Sequence, residues 1–190
     1  MTEPMLRGYL LQRATGFIDQ YFSPEQSAKI RAGFPEPLRA VLADIKPAAW
    51  YPREHCVTLH DAIASASNGP DAAYESLVAC GEFMATEATN TYLRLVMRLM
   101  TPGLFCKKVP SFWQRDHSLG EFLVDNVDNE AKQIDMRLRN VAGFNHVGAS
   151  CVGFLRFGMK AVGANAKFQQ TGWSLANPAP AEIKYQVTWT

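Results

Sequence analysis

The hydrophobic period of this 190-residue chain changes once, and that change constrains its fold more than any other feature. Up to about residue 117, apolar side chains return every three or four positions, as one face of a helix requires; from Glu121 they mostly alternate, as a half-buried strand requires. Leu6, Leu10, Phe17 and Tyr21 mark a first helix. Ser23-Pro24-Glu25-Gln26 supplies an N-cap, a proline at the first helical position and a capping-box glutamine, so a second helix runs from Pro24 to Ala32. Gly33 to Pro37 interrupts the pattern, and Leu38, Val41, Leu42 and Ile45 resume it until Pro47. Pro52, after Trp50-Tyr51, opens a fourth helix carrying Val57, Leu59, His60 and Ile63, which Asn68-Gly69-Pro70 ends. Tyr74, Leu77, Val78, Gly81 and Met84 stripe a fifth; Tyr92, Leu95, Val96 and Leu99 stripe another; Leu104 to Trp113 is one more short helix.

Glu121 to Asp128 then reads as a strand, Asp128-Asn129 as a turn, and Ile134, Met136 and Leu138 alternate with charged neighbours as a second strand. His146 to Val162 is helical, Lys167 to Leu175 is a strand, and Glu182 to Thr190 closes the chain. In that last strand Ile183, Tyr185, Val187 and Trp189 share one face. Helices followed by β-β-α-β-β imply the α+β class, with a four-stranded antiparallel sheet packing one apolar face on helices. The expected organisation is one domain over 1–190, divided into a helical part (1–117) and a β-β-α-β-β part (118–190).

Composition narrows the function classes. Hydrophobic residues make up 47% of the chain and charged residues 19%, which suits a folded domain and not a disordered one. A formal charge of +1 lacks the basic excess of a nucleic-acid binder. The N-terminus has an acid near its start and no secretory apolar segment, and no run approaches the ~20 residues of a membrane span; Val147 to Leu155 is the longest candidate. Cys56, Cys80, Cys106 and Cys151 are widely spaced with no C-x-x-C pair, as in buried reduced thiols. A cytoplasmic location is expected, without nucleic-acid binding or membrane insertion.

The densest chemical cluster is Glu54-His55-Cys56 followed by His60-Asp61. Cys56 and His60, four apart on a helix, share a face, but two ligands are too few for a metal site. No serine elbow, Walker lysine or dinucleotide-binding glycine motif follows a strand, and Cys151 falls on an apolar helical stripe where a thiol is inert. Gly148, Gly153 and Gly158 lie inside a helix, where each costs about 1 kcal/mol relative to alanine; close packing of that helix across its own sheet would offset this. No catalytic residue and no metal site are expected. The 11 Phe, 6 Tyr and 4 Trp are compatible with a lined pocket as well as with a filled core.

Pro47-Ala-Ala-Trp50-Tyr51-Pro52-Arg-Glu54 followed by Leu59, Ala62 and Ile63, and Trp113 with Gly120 seven residues on before a strand, resemble the motifs of a paralogous myxobacterial family of about 200-residue proteins. The two terminal strands with a final tryptophan are similar too, so the resemblance covers nearly the whole chain. That family is distantly similar to the superfamily joining haem-NO-binding domains and 4-vinyl-reductase-type domains. The resemblance implies an N-terminal helical part and a β-β-α-β-β unit. It also implies kinship with small-molecule sensors, aromatic-effector domains of bacterial regulators and vesicle-tethering subunits that hold an acyl chain. The haem branch uses a Tyr-x-Ser-x-Arg motif and a proximal histidine; no such motif occurs here. The zinc-bearing branch uses clustered C-terminal cysteines, and no cysteine follows Cys151.

The expected function is therefore a non-enzymatic sensor or binding domain with a pocket, between the sheet and its helices, for a small apolar or aromatic ligand. It would need no haem, zinc or other cofactor, and it would act through a protein partner or a homodimer. The expected pocket residues are Trp113, Phe154, Trp173 and Tyr92. A scaffold module with a closed pocket is the alternative.

Overall fold

The protein is described from a computed structural model, covering residues 3–89 and 95–190. Chain order is β1 (Met5–Arg7), α1 (Gly8–Tyr21), α2 (Pro24–Ala32), α3 (Glu36–Ala43), β2 (Trp50–Pro52), α4 (Glu54–Ala66), α5 (Pro70–Ala88), α6 (Pro102–Asp116), β3 (Glu121–Asp128), β4 (Gln133–Arg139), α7 (Val147–Ala161), β5 (Ala166–Thr171) and β6 (Glu182–Trp189). The α+β class, the helical N-terminal part and the four-stranded antiparallel sheet are all present.

The sheet runs β3-β4-β6-β5, every neighbour antiparallel. Alternation puts Ile134, Met136 and Leu138 of β4 and Ile183, Tyr185 and Val187 of β6 on one face, where all are 0–2% exposed. A bulge after Val124 leaves Asp125 outside the ladder, and Arg137 of β4 takes it as a bidentate partner at 2.6 and 2.7 Å. Over the inner face lies α7, anchored where the Tyr185 hydroxyl donates to the Gly148 carbonyl at 3.3 Å.

Two glycines bring α7 against α5. A Cβ at Gly153 would sit 1.9 Å from the Val78 carbonyl oxygen, and one at Gly81 would sit 1.9 Å from that of Ser150. The helix backbones therefore touch, which only glycine allows. The expected packing across the sheet holds at Gly148, which meets Gln170 of β5, and is corrected at Gly153 and Gly158. Gly153 faces α5 and Gly158 faces the Phe105 ring of α6, while Gly148 lies under Gln170 and Trp173.

The helical half departs from its periodicity in three places. Leu6 belongs to β1, fully buried and pairing with Tyr51 of β2 and His117, so α1 begins only at Gly8. Trp50 to Pro52 is a strand, and α4 starts two residues after the proline. Leu95 and Leu99 are 54% and 86% exposed, so they do not form a buried stripe; Tyr92, on the same predicted helix, lies outside the described residues. By contrast Ser23 and Gln26 form the expected reciprocal cap of α2.

Candidate ligand-binding site

Trp113 and Gly120 explain each other. The indole Nε1 donates to the Leu119 carbonyl at 3.1 Å, and Gly120, at φ +83°, turns the chain into β3 close beside the indole ring. A Cβ there would stand 2.8 Å from Val141 and 3.1 Å from the tryptophan. This pins Trp113 so that His117 stacks on it at 3.9 Å and Phe122 meets it edge to face at 5.6 Å.

Beside this aromatic pillar is a cavity of about 100 Å³, bounded by α1, α4, α5, α6, α7 and the start of β3. Its inner wall is buried and mostly apolar: Val109, Trp113, Phe122, Phe144, Val147, Cys151, with Cys56 and His60 from α4. Toward solvent it is bounded by the half-buried Met84, Phe112 and Phe154, and by a polar lip of Tyr9, Arg13, Arg115 and Asp116. Cavities of this order, near the ~150 Å³ that admits benzene, stay dry when their walls are apolar.

The lip is organised around Asp116, 8% exposed at the end of α6. Arg115 donates to both its oxygens at 2.7 Å and to the Tyr9 hydroxyl at 3.2 Å. Burial, with the adjoining Asp116 carboxylate, raises the Tyr9 phenol to about 12, so Tyr9 stays protonated. Arg13 stands one helical turn after Tyr9 with its guanidinium 4.5 Å over that ring.

The Cys56, His60 and Asp61 cluster separates on folding. Cys56 Sγ lies 3.9 Å from His60 Nε2, and His60 Nδ1 lies 3.4 Å from the Asn145 carbonyl oxygen. Burial pushes the Cys56 thiol up to about 12 and the His60 imidazole down to about 4, so both are neutral near pH 7. Asp61 points away, accepting from Asn145 Nδ2 at 3.2 Å and meeting His146 Nε2 at 3.2 Å. A neutral thiol beside a neutral imidazole is the reverse of an activated nucleophile. Among the described residues no three His, Cys, Asp or Glu side chains are placed to hold a metal ion.

Of the expected pocket residues, Trp113 and Phe154 line this cavity. Trp173 lies elsewhere: its ring covers Gly148 and meets Tyr74 and His146, and its Nε1 donates to the Pro178 carbonyl at 3.0 Å. Tyr92 falls outside the described residues. Sequence reasoning missed His60, Cys56 and Phe144 as wall residues and the lip of Tyr9, Arg13, Arg115 and Asp116. The polar lip reads locally as an ordinary solvated helix face; its one local signal is Arg115-Asp116 in the last turn of a helix that also carries the wall residue Trp113.

A second hollow, on the outer face of the sheet, is polar and has its own ion pairs. Arg137 binds Asp125, and Gln186 donates to Asp135 at 3.1 Å. It has the character of a solvated sheet face.

By sequence, no protein-family model matches the chain, and no curated protein matches it either. By structure it is similar to haem-NO-binding (H-NOX) proteins. The K. algicida H-NOX protein in its Fe(II) unliganded form aligns with a TM-score of 0.74 and 12% identity over 97% of each chain. The S. oneidensis H-NOX protein in the Fe(II)NO ligation state aligns at 0.71 and 10% identity, over 97% of this chain and 99% of that one. A single-residue variant of the T. Tengcongensis H-NOX aligns at 0.66 and 10%, over 97% and 98%. The likeness is one of fold, over the full length of both chains.

Proposed function

We propose that this chain is a non-enzymatic domain that binds a small apolar or aromatic molecule, about one ring in size, in the cavity between α1, α4, α5, α6 and α7. The observation that carries the reading is the cavity itself, about 100 Å³, with a mostly apolar wall in which Cys56 and His60 are neutral, and charged groups at its lip. A sensing role follows if occupancy changes how the flanking helices sit, with the signal passing to a protein partner or a second copy.

The fold's relatives raise the question of haem, and the residues present do not fit it. A cavity of about 100 Å³ falls short of the ~300–1,000 Å³ in which larger ligands are enclosed. An axial histidine needs one free ring nitrogen aimed at iron and the other held by a hydrogen bond. Both nitrogens of His60 already have neighbours, and His117 lies flat on Trp113. In β4 the inward side chains are Ile134, Met136 and Leu138, while Arg137 and Arg139 pair with Asp125 and Glu182 on the other face. Nothing on that strand offers a cofactor carboxylate a partner inside the core.

Native mass spectrometry of the purified protein, then thermal shift with toluene, phenol, fatty acids and haem, tests the reading. The expected result is a rise in melting temperature with one-ring compounds and none with haem. No shift with any one-ring compound would move the assignment to the scaffold alternative. One observation speaks for that alternative: Leu95, Leu99 and Leu104 are exposed within one stretch of chain.

A further inference from the structure

The lip of the cavity is not electrically balanced. Among the described residues two cations line it, Arg13 and Arg115, against one carboxylate, Asp116. Arg115 spends its guanidinium on both oxygens of that carboxylate and on the Tyr9 hydroxyl, so the cation and the anion at the end of α6 neutralise each other. Arg13 makes no ion pair among the described residues; its contact is the face of Tyr9. Glu87 of α5 and Asp116 both act on it through space, but Glu87 is exposed, Asp116 is held by Arg115, and neither forms an ion pair with Arg13.

Arg13 is nevertheless half-buried against the apolar space, where burial works against its charge. A guanidinium kept there without a directly paired carboxylate is costly unless something supplies one. Its planar fork matches a carboxylate with two parallel hydrogen bonds, which a hydroxyl or an amide cannot reproduce. The space behind it has room for about one ring or a short branched chain, with a mostly apolar wall behind the lip.

We propose that the cavity takes a small aromatic or branched aliphatic monocarboxylate, its apolar body against Val109, Cys151 and Phe154 and its carboxylate on Arg13 at the lip. This rests on the reading of the cavity as a ligand site and adds the ligand's charge and orientation. Long acyl chains are excluded by length, and dicarboxylates by the absence of a second free cation among the described lining residues.

The test is calorimetric titration of the full chain with matched pairs, phenylacetate against toluene and benzoate against benzamide, repeated with Arg13→Gln and Arg13→Lys. The acids are expected to bind at least about tenfold more tightly than their neutral partners, as a charge-assisted pair allows. Arg13→Gln should remove that margin while leaving toluene affinity within about twofold, which also shows that the variant is folded, and Arg13→Lys should restore part of it. If toluene binds but the acids gain nothing, or if the acids bind equally well to Arg13→Gln, the monocarboxylate proposal is overturned and the cavity reading stands. If neither acids nor neutral rings bind, the cavity reading falls and this proposal with it.

Discussion

The inner face of the central strands β4 and β6 and the layer of helices above it are made from the same apolar residue types, yet the strands' face is closed and the helices keep a cavity. Strand alternation delivers a flat, regular row of side chains, and Ile134, Leu138, Ile183 and Val187 are each 0% exposed. Helices meet at angles, so their contacts are tight where small residues let backbones approach and loose a turn further on. Both cases occur along α5 and α7. Gly81 and Gly153 bring the backbones into contact, while on the same two helices Ala85 and Phe154 face open space. The cavity thus adjoins the glycine contact, and the same helix pair supplies part of its wall.

Four substitutions test how different the two regions are. Gly153→Ala, which would gain helix propensity at an open site, should instead destabilise by about 4 kcal/mol because its Cβ meets the Val78 carbonyl. Stabilisation in urea unfolding would show that the helices are not in contact there. Ile134→Ala, on the closed sheet face, should cost about 3 kcal/mol, as removal of a fully packed side chain does. Val109→Ala removes a side chain that already borders open space, and the same measurement should give about 1 kcal/mol. Equal losses at the two positions would mean that the helical layer is as well packed as the sheet. Ala85→Met should stabilise by about 0.5 kcal/mol by filling the cavity, and should weaken toluene binding at least tenfold in the same preparation.

A pH titration sharpens the comparison from the chemical side. His60 is held down to about 4 by burial at the cavity wall, whereas in the unfolded chain it titrates near 6.5. The unfolded state therefore takes up the proton first. The His60 contribution to stability should be complete above about pH 6.5, fall by roughly 1.4 kcal/mol per unit as pH drops toward 4, and level off below. His117, lowered in the same direction by burial, adds to the fall. His60→Leu should make the slope shallower in urea unfolding across that window; an unchanged slope would place the titrating groups elsewhere.

How much of this was legible in the sequence follows from range. β3 was bounded at Glu121 and Asp128 because alternation and the Asp128-Asn129 turn are local signals, and Ser23 with Gln26 announced its helix for the same reason. β1 and β2 were not legible. Each has three residues, and Leu6 earns its place through Tyr51 and His117, far away in the chain. The order of helices and strands carried the fold class. The cavity was legible only as aromatic residue types. Trp113 and Phe154 lie on it and Trp173 does not, and no period separates them, because a void is set by how helices distant in sequence meet. Arg13, in turn, becomes unusual only once Arg115 and Asp116 are seen to satisfy each other at its side.

The central claim is that the helical layer holds a small, mostly apolar cavity for a one-ring guest, in a fold similar to that of H-NOX proteins solved in Fe(II) states. Crystals of the protein pressurised with xenon test it most directly, since xenon enters apolar voids of this size without hydrogen bonds. The account predicts one strong xenon peak within van der Waals reach of Val109, Cys151 and Phe154. A map with no xenon there and Phe112 and Phe154 folded into the space, or one with haem held between α6 and the sheet, would contradict it.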